Sequence, residues 1–193
     1  MNQLPPVTKA FLLACVGVFC AFVLLPPQWK LVFELWPLQS GLFLPWQPVT
    51  YALLHGDVMH LFFNMLGLWM FGSELERVWG PKRYLQMLLA SVLTAAAAQL
   101  VFTLLIGSNA PTVGASGALF GLLLSFGMLF PDRIIMPLFP PIPMKAKYFV
   151  ALFGTLELLM GLSGGGGIAH FAHLGGMLGA YLLIRYWRTA RRR

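Results

Sequence analysis

Of the 193 residues, 59% are apolar and only 10% are charged, against roughly 25% charged in an average soluble domain. A soluble fold of this length has no interior able to hide that much hydrocarbon. The composition therefore points to an integral membrane protein in one domain, residues 1–193. The formal net charge of +7 is spread between and after the apolar segments instead of forming one basic stripe, so no nucleic-acid partner is expected.

In chain order, six hydrophobic segments are expected to form helices: Thr8–Leu25, Val58–Leu75, Tyr84–Ile106, Ser116–Phe130, Tyr148–Leu162 and Ile168–Trp187. Spanning a hydrocarbon core of about 30 Å takes about 20 helical residues at ~1.5 Å each. The first, second, third and sixth segments approach or exceed that length. The first also holds both cysteines, Cys15 and Cys20; their spacing on one helix argues against a mutual disulfide. Lys9 precedes an apolar run nearly long enough to span and stay, so no cleavable signal peptide is expected. The connection Pro26–Asp57 mixes apolar and aromatic residues (Trp29, Phe33, Trp36, Phe43, Trp46, Tyr51), a composition suited to the membrane interface. The fourth and fifth segments are short, about 15 residues and so ~22 Å. The loop leading into a short helix must dip into the bilayer, which is tolerated only where protein or water lines it.

The fold expected is an all-α membrane protein, a six-transmembrane-helix bundle with an interfacial first outer loop. An even number of spans puts both termini on one side. With them go Lys9, Arg77, Lys82, Arg83, Arg133, Lys145, Lys147, Arg185, Arg188 and Arg191 to Arg193, while Lys30 alone lies opposite. The positive-inside rule makes both termini cytoplasmic, in a multi-pass protein of the cell membrane. The basic tail is a topology signal and a binder of anionic headgroups. No internal repeat of the transporter kind is apparent.

Polar residues inside these segments are few. "HGDVMHLFFN" places His60 and Asn64 four apart, on one helical face. "IAHFAHLGG" carries His170 and His173, and Ser116 opens the fourth segment. Counting ~1.5 Å per residue from the outer ends puts His60 a few Å deep, Asn64 about 10 Å and His173 about 8 Å. Ser116 heads a helix too short by a similar amount, so all four share one layer. Singly, each has a bland explanation: Ser116 as a helix cap, His60 or Asn64 as interhelical hydrogen-bond partners, His170 as a helix-end histidine. Together they suggest a site, because polar groups in a bilayer are costly and face a partner or a cavity. A serine becomes nucleophilic when a nearby base takes its proton, and a histidine supplies such a base near neutral pH. Free N–H groups at a helix start, with Asn64 and His60, offer donors for a developing oxyanion. None of the six acidic residues is evidently placed as a third member, leaving a Ser–His dyad. Glu157, in the fifth segment, is left unexplained; about five residues from the helix end, it is within reach of the interface. "HFAH", with His55 and His60, raises a metal site, but no H-E-x-x-H or placed intramembrane ligand acid accompanies it. No metal and no cofactor are expected.

"GASG" at Gly114–Gly117, "HGDVMHLFFN" and "AHLGGMLGA", in this order and spacing, resemble the motifs of rhomboid intramembrane serine proteases. "GSELERVWG", with Glu76, resembles the cytoplasmic end of that family's second span. The likeness runs from about Trp46 through the last segment. It implies Ser116 as nucleophile, His173 and not His170 as base, and His60 with Asn64 as oxyanion-stabilising groups. It also implies cleavage of transmembrane protein substrates near their outer ends, with the fifth helix as a lateral gate and the bilayer as partner. Three departures stand out. Gln47 follows Trp46 where the family often has arginine, and Phe120 stands where some members have tyrosine. The small residues after the histidine are Gly176 and Ala180. The alternatives are an inactive rhomboid-like binder of membrane clients or a small transporter; substrate identity and oligomeric state stay open.

Overall fold

The computed structural model describes residues 3–138, 140–163 and 168–190. Gly164–Gly167, between the fifth and sixth segments, and Arg191–Arg193 of the basic tail lie outside them. Helix α1 (Pro6–Leu24) is followed by an irregular segment holding two single-turn helices, α2 (Lys30–Phe33) and α3 (Gln47–Thr50). Then come α4 (Val58–Gly67), a π-helical stretch Leu68–Gly72, α5 (Ser73–Ile106), α6 (Ser116–Leu129), α7 (Ala146–Leu162) and α8 (Ile168–Ala190). A two-stranded ribbon, β1 (Ile134–Ile135) with β2 (Met144–Lys145), links α6 to α7. Pro6–Leu24 and the helical stretch Val58–Ile106 are long and apolar enough to cross a membrane, and Ser116–Leu129 is apolar but shorter.

Each expected hydrophobic segment is helical, and the largest difference lies at residues 76–83. The helix does not end at Leu75 but runs on to a corner at Gly80, whose φ of 76° and ψ of 165° are non-helical. Pro81 then starts the second arm, at the position where a missing N–H costs nothing. Carried this far, the first arm brings Glu76 beneath the start of α1. The Glu76 side chain, 2% exposed, accepts from the Val7 and Thr8 backbone N–H groups at 2.9 and 2.7 Å and from Thr8 Oγ1 at 2.7 Å. A helix begins with N–H groups that have no internal partner and a partial positive charge, so this distant carboxylate caps α1.

The segment 26–57 is anchored by Gln47, which is fully buried. Its Oε1 accepts from Trp36 N at 3.2 Å, and its Nε2 donates to the carbonyl of Leu42 at 3.1 Å. The residue that departs from the family's arginine thus still pins the loop. Trp29 and Trp46 of this segment are exposed.

Helix α8 lies against both α5 and α6. A Cβ on Gly176 would sit 2.0 Å from the Gly117 carbonyl oxygen, so only glycine permits this separation of α6 and α8. Ala180, one turn on, is fully buried. On the opposite end of the bundle, Arg133 pairs with Glu74 at 2.7 Å, and Lys145 and Lys147 flank Asp132 at 3.1 and 2.9 Å. The Lys147 and Lys145 ammonium groups hold the Asp132 carboxyl below its usual range. Cys15 is buried and Cys20 exposed, and both are free thiols.

Candidate active site

The approach to Ser116 is an irregular strand of chain whose polar groups are paired, as buried backbone must be. Thr112 exchanges two backbone hydrogen bonds with Leu35, at 3.0 and 2.9 Å. Gly114 N donates to the Tyr51 carbonyl at 2.9 Å, and Gln99 Nε2 donates to Thr112 Oγ1 at 2.8 Å. Tyr51 is itself tied to α5 through its hydroxyl, which donates to the Val92 carbonyl at 2.9 Å. This bracing delivers Ser116 as the first residue of α6, with free backbone N–H groups beside it.

Ser116 Oγ lies 2.8 Å from His173 Nε2. The imidazole is fixed on one face by Phe120, whose ring stacks on it with centroids 4.3 Å apart and planes within 5°. Phenylalanine therefore provides ring packing at a position where a tyrosine hydroxyl is absent.

His60 and Asn64 stand on α4, which is started by the Asp57 side chain accepting from His60 N at 2.8 Å. The His60 Nε2 edge occupies the space beside Gly114, where an added Cβ would meet Nε2 at 2.7 Å. That Cβ position is 3.6 Å from Ser116 Oγ, so His60 borders the serine. Gly114 also has a φ of 126°, a backbone conformation that favours glycine. Gly56 N donates to His60 Nδ1 at 3.5 Å, an arrangement that leaves the ring proton on Nε2, facing the site. Asn64 is buried, and its amide Nδ2 donates to the His60 carbonyl at 2.9 Å. No hydrogen bond joins Asn64 to Ser116 among the described residues. The ring of His55 meets His60 edge to face at 5.0 Å. Burial, followed by the neighbouring His60, pushes the His55 imidazole down to about 4, so it is neutral at pH 7.

The acidic residue with no assigned place is resolved differently from expectation. The Glu157 side chain does not turn outward; it is 13% exposed and points from α7 onto α8. Its Oε2 accepts from His170 Nδ1 at 2.5 Å and lies 2.8 Å from His173 Nδ1. The second contact is close but off the ring N–H direction, since His173 Nδ1 has no aligned hydrogen-bond partner. A carboxylate therefore stands beside the histidine that faces Ser116, contrary to a dyad with no acid nearby, and His170 is its partner and no mere helix-end residue. Sequence reasoning missed this because the spacing within α7 says nothing about which neighbour that face meets. The available signal was the cost of an unpaired carboxylate in an apolar helix, which demands a partner.

Comparison with known proteins follows the same residues. Residues 43–189 match the family described as Rhomboid domain. The chain is 27% identical over 195 residues to Rhomboid protease GlpG of Yersinia pestis (strain Pestoides F), covering 97% of this chain and 64% of that protein. It is 32% identical over 142 residues to Rhomboid protease GluP of Bacillus subtilis (strain 168), covering 70% of this chain and 25% of that protein. The chain thus spans just under two thirds of the first relative's length and a quarter of the second's.

Proposed function

This chain belongs to the rhomboid family, and on that premise we propose that it is an intramembrane serine endopeptidase that cleaves transmembrane proteins near their outer ends. The observation that carries the reading is the 2.8 Å approach of Ser116 Oγ to His173 Nε2 at the head of a helix that starts inside the protein. In this reading the whole chain is one membrane domain of six spans, with α4 and the first arm of α5 forming the second span and the arm after Gly80 the third. Both termini are cytoplasmic, on the side of the Arg133–Glu74 and Asp132–Lys145 pairs.

Ser116 Oγ attacks the scissile carbonyl carbon while His173 Nε2 takes its proton. The carbonyl oxygen becomes an oxyanion, held by the Ser116 backbone N–H, by His60 Nε2–H and by the second N–H of the Asn64 amide. Collapse expels the amine, which receives the proton from His173 and leaves an acyl-enzyme on Ser116. Water, deprotonated by the same histidine, then releases the acid. Glu157 beside Nδ1 favours the tautomer with its proton on Nδ1, which keeps the Nε2 lone pair turned to Ser116. Phe120 holds the ring plane.

Separate Ser116→Ala and His173→Ala variants, reconstituted with a transmembrane substrate, test the reading: each is expected to abolish cleavage and labelling by a fluorophosphonate. Cleavage by both variants at the parent rate refutes it.

A further inference from the structure

Among the described residues, one group of side chains has the makings of a metal site: Glu157, His170 and His173, whose ligating atoms all lie within 4.8 Å of one another. The sequence alone offered two imidazoles on α8 and no acid to join them, and the fold supplies the acid from α7. We propose that this cluster binds a zinc-type divalent ion, and that occupancy switches the peptidase off. Binding stands on the cluster alone; the switching rests on His173 being the base.

Two imidazole nitrogens and one carboxylate oxygen are a donor set of open tetrahedral zinc sites, the fourth position going to water. Hard cations such as Mg²⁺ or Ca²⁺ prefer oxygen ligands only, so the two nitrogens select a borderline metal. The spacing is close to what is needed. Ligand atoms about 2.1 Å from a tetrahedral ion are ~3.4 Å apart, and the carboxylate now sits 2.5 and 2.8 Å from the two Nδ1 atoms. A small swing of the Glu157 side chain opens both contacts far enough. His173 Nδ1, which has no aligned hydrogen-bond partner, is left ready for a ligand. All three side chains are 13–14% exposed, which leaves an ion a way in.

The chemical consequence follows from the two ends of one ring. An imidazole bound to metal through Nδ1 carries its proton on Nε2. That nitrogen then donates to Ser116 Oγ instead of accepting its proton, so the nucleophile loses its base without any movement of the ring. The ion lies on the side of His173 away from Ser116, which makes it an inhibitor and not a Lewis acid on the scissile carbonyl.

The test uses the full chain in detergent. Co²⁺ titration of the parent, of Ser116→Ala, of His170→Ala and of Glu157→Gln is followed by the visible absorption of tetrahedral cobalt, with Zn²⁺ as competitor. Cleavage by the parent, by His170→Ala and by His55→Ala is then measured against Zn²⁺ and after chelation. The expected result is one tetrahedral Co²⁺ per chain in the parent and in Ser116→Ala. His170→Ala and Glu157→Gln each weaken binding by at least ~10-fold, as loss of a ligand costs no less than loss of a supporting group. Zn²⁺ should inhibit the parent reversibly, and His170→Ala should still cleave while needing at least ~10-fold more Zn²⁺ for half inhibition. Unchanged Co²⁺ binding in both His170→Ala and Glu157→Gln overturns the site. Zn²⁺ inhibition relieved by His55→Ala and not by His170→Ala overturns it as well. Full Co²⁺ occupancy with undiminished cleavage overturns the switch. A parent that binds Co²⁺ but cleaves nothing, even after chelation, keeps the site and refutes the peptidase reading.

Discussion

Gly176→Ala adds a single methyl group at the seam between α6 and α8. The new carbon would stand 2.0 Å from the Gly117 carbonyl oxygen and 2.8 Å from the Gly117 carbonyl carbon, where real contacts are essentially never under 3.0 Å. Both neighbours are backbone, so no flexible side chain can turn away and the helices must part by about 1 Å or more. Ser116 begins α6 and His173 lies one turn before Gly176 on α8, so the parting acts on their 2.8 Å contact. Stretched by that amount it leaves the range of a hydrogen bond. Misplacement of reacting groups by 1 Å can cost about 100-fold in rate, while overpacking costs about 1–3 kcal/mol in stability. Gly176→Ala is therefore expected to fold, with a lowered melting temperature, and to cleave a reconstituted substrate about 100 times more slowly. Fluorophosphonate labelling of Ser116 should slow in parallel. The control is Gly17→Ala on α1, where an added Cβ meets no heavy atom within 4 Å, and no loss of activity is expected. Cleavage and labelling by Gly176→Ala at the parent rate would refute the argument that this helix separation sets the serine–histidine distance.

Glu76→Ala removes the acceptor of three hydrogen bonds at the start of α1 and should cost on the order of 2–4 kcal/mol. Thermal unfolding in detergent should show Glu76→Gln falling between it and the parent, and equal midpoints would show that the cap contributes nothing. Gln47→Leu keeps the volume but leaves Trp36 N and the Leu42 carbonyl without partners. Hydrogen exchange at Trp36 should accelerate by an amount equivalent to roughly 1–3 kcal/mol. Phe120→Ala takes away the ring stacked on His173; stacking of about 0.5–1.5 kcal/mol predicts a roughly twofold to thirteenfold fall in kcat, with Phe120→Tyr near the parent. Arg133→Ala breaks a solvent-exposed pair with Glu74, so the loss of stability should stay below about 1 kcal/mol and vanish at high salt.

Much of this was readable from local rules. The helices follow from the apolar runs, because hydrophobic patterning acts within a few residues. His60 and Asn64 share a face because a helix repeats every 3.6 residues. The short fourth segment is helical as α6, Ser116–Leu129, with Ser116 as its first residue. Less legible was the stretch after Leu75, where charged residues suggested a loop. The chain keeps its helix instead, because Glu76 is spent on the N-terminus of α1, nearly 70 residues earlier in the chain. Gln47 was marked as a departure and proved to be a buried anchor, since what a loop needs is paired polar groups and not a particular charge.

By itself the sequence determined where the chain is helical and which of its residues share a face of one helix. Each of these depends on spacing along one segment. Which faces meet was decided only by the tertiary structure. The pairing of Ser116 with His173 at 2.8 Å depends on the bare backbone contact at Gly176. The turn of Glu157 onto His170 and His173 depends on how α7 lies against α8. An unpaired carboxylate in apolar surroundings must find a partner, but its distance from two imidazoles is set by helix packing, which no spacing within a single helix records.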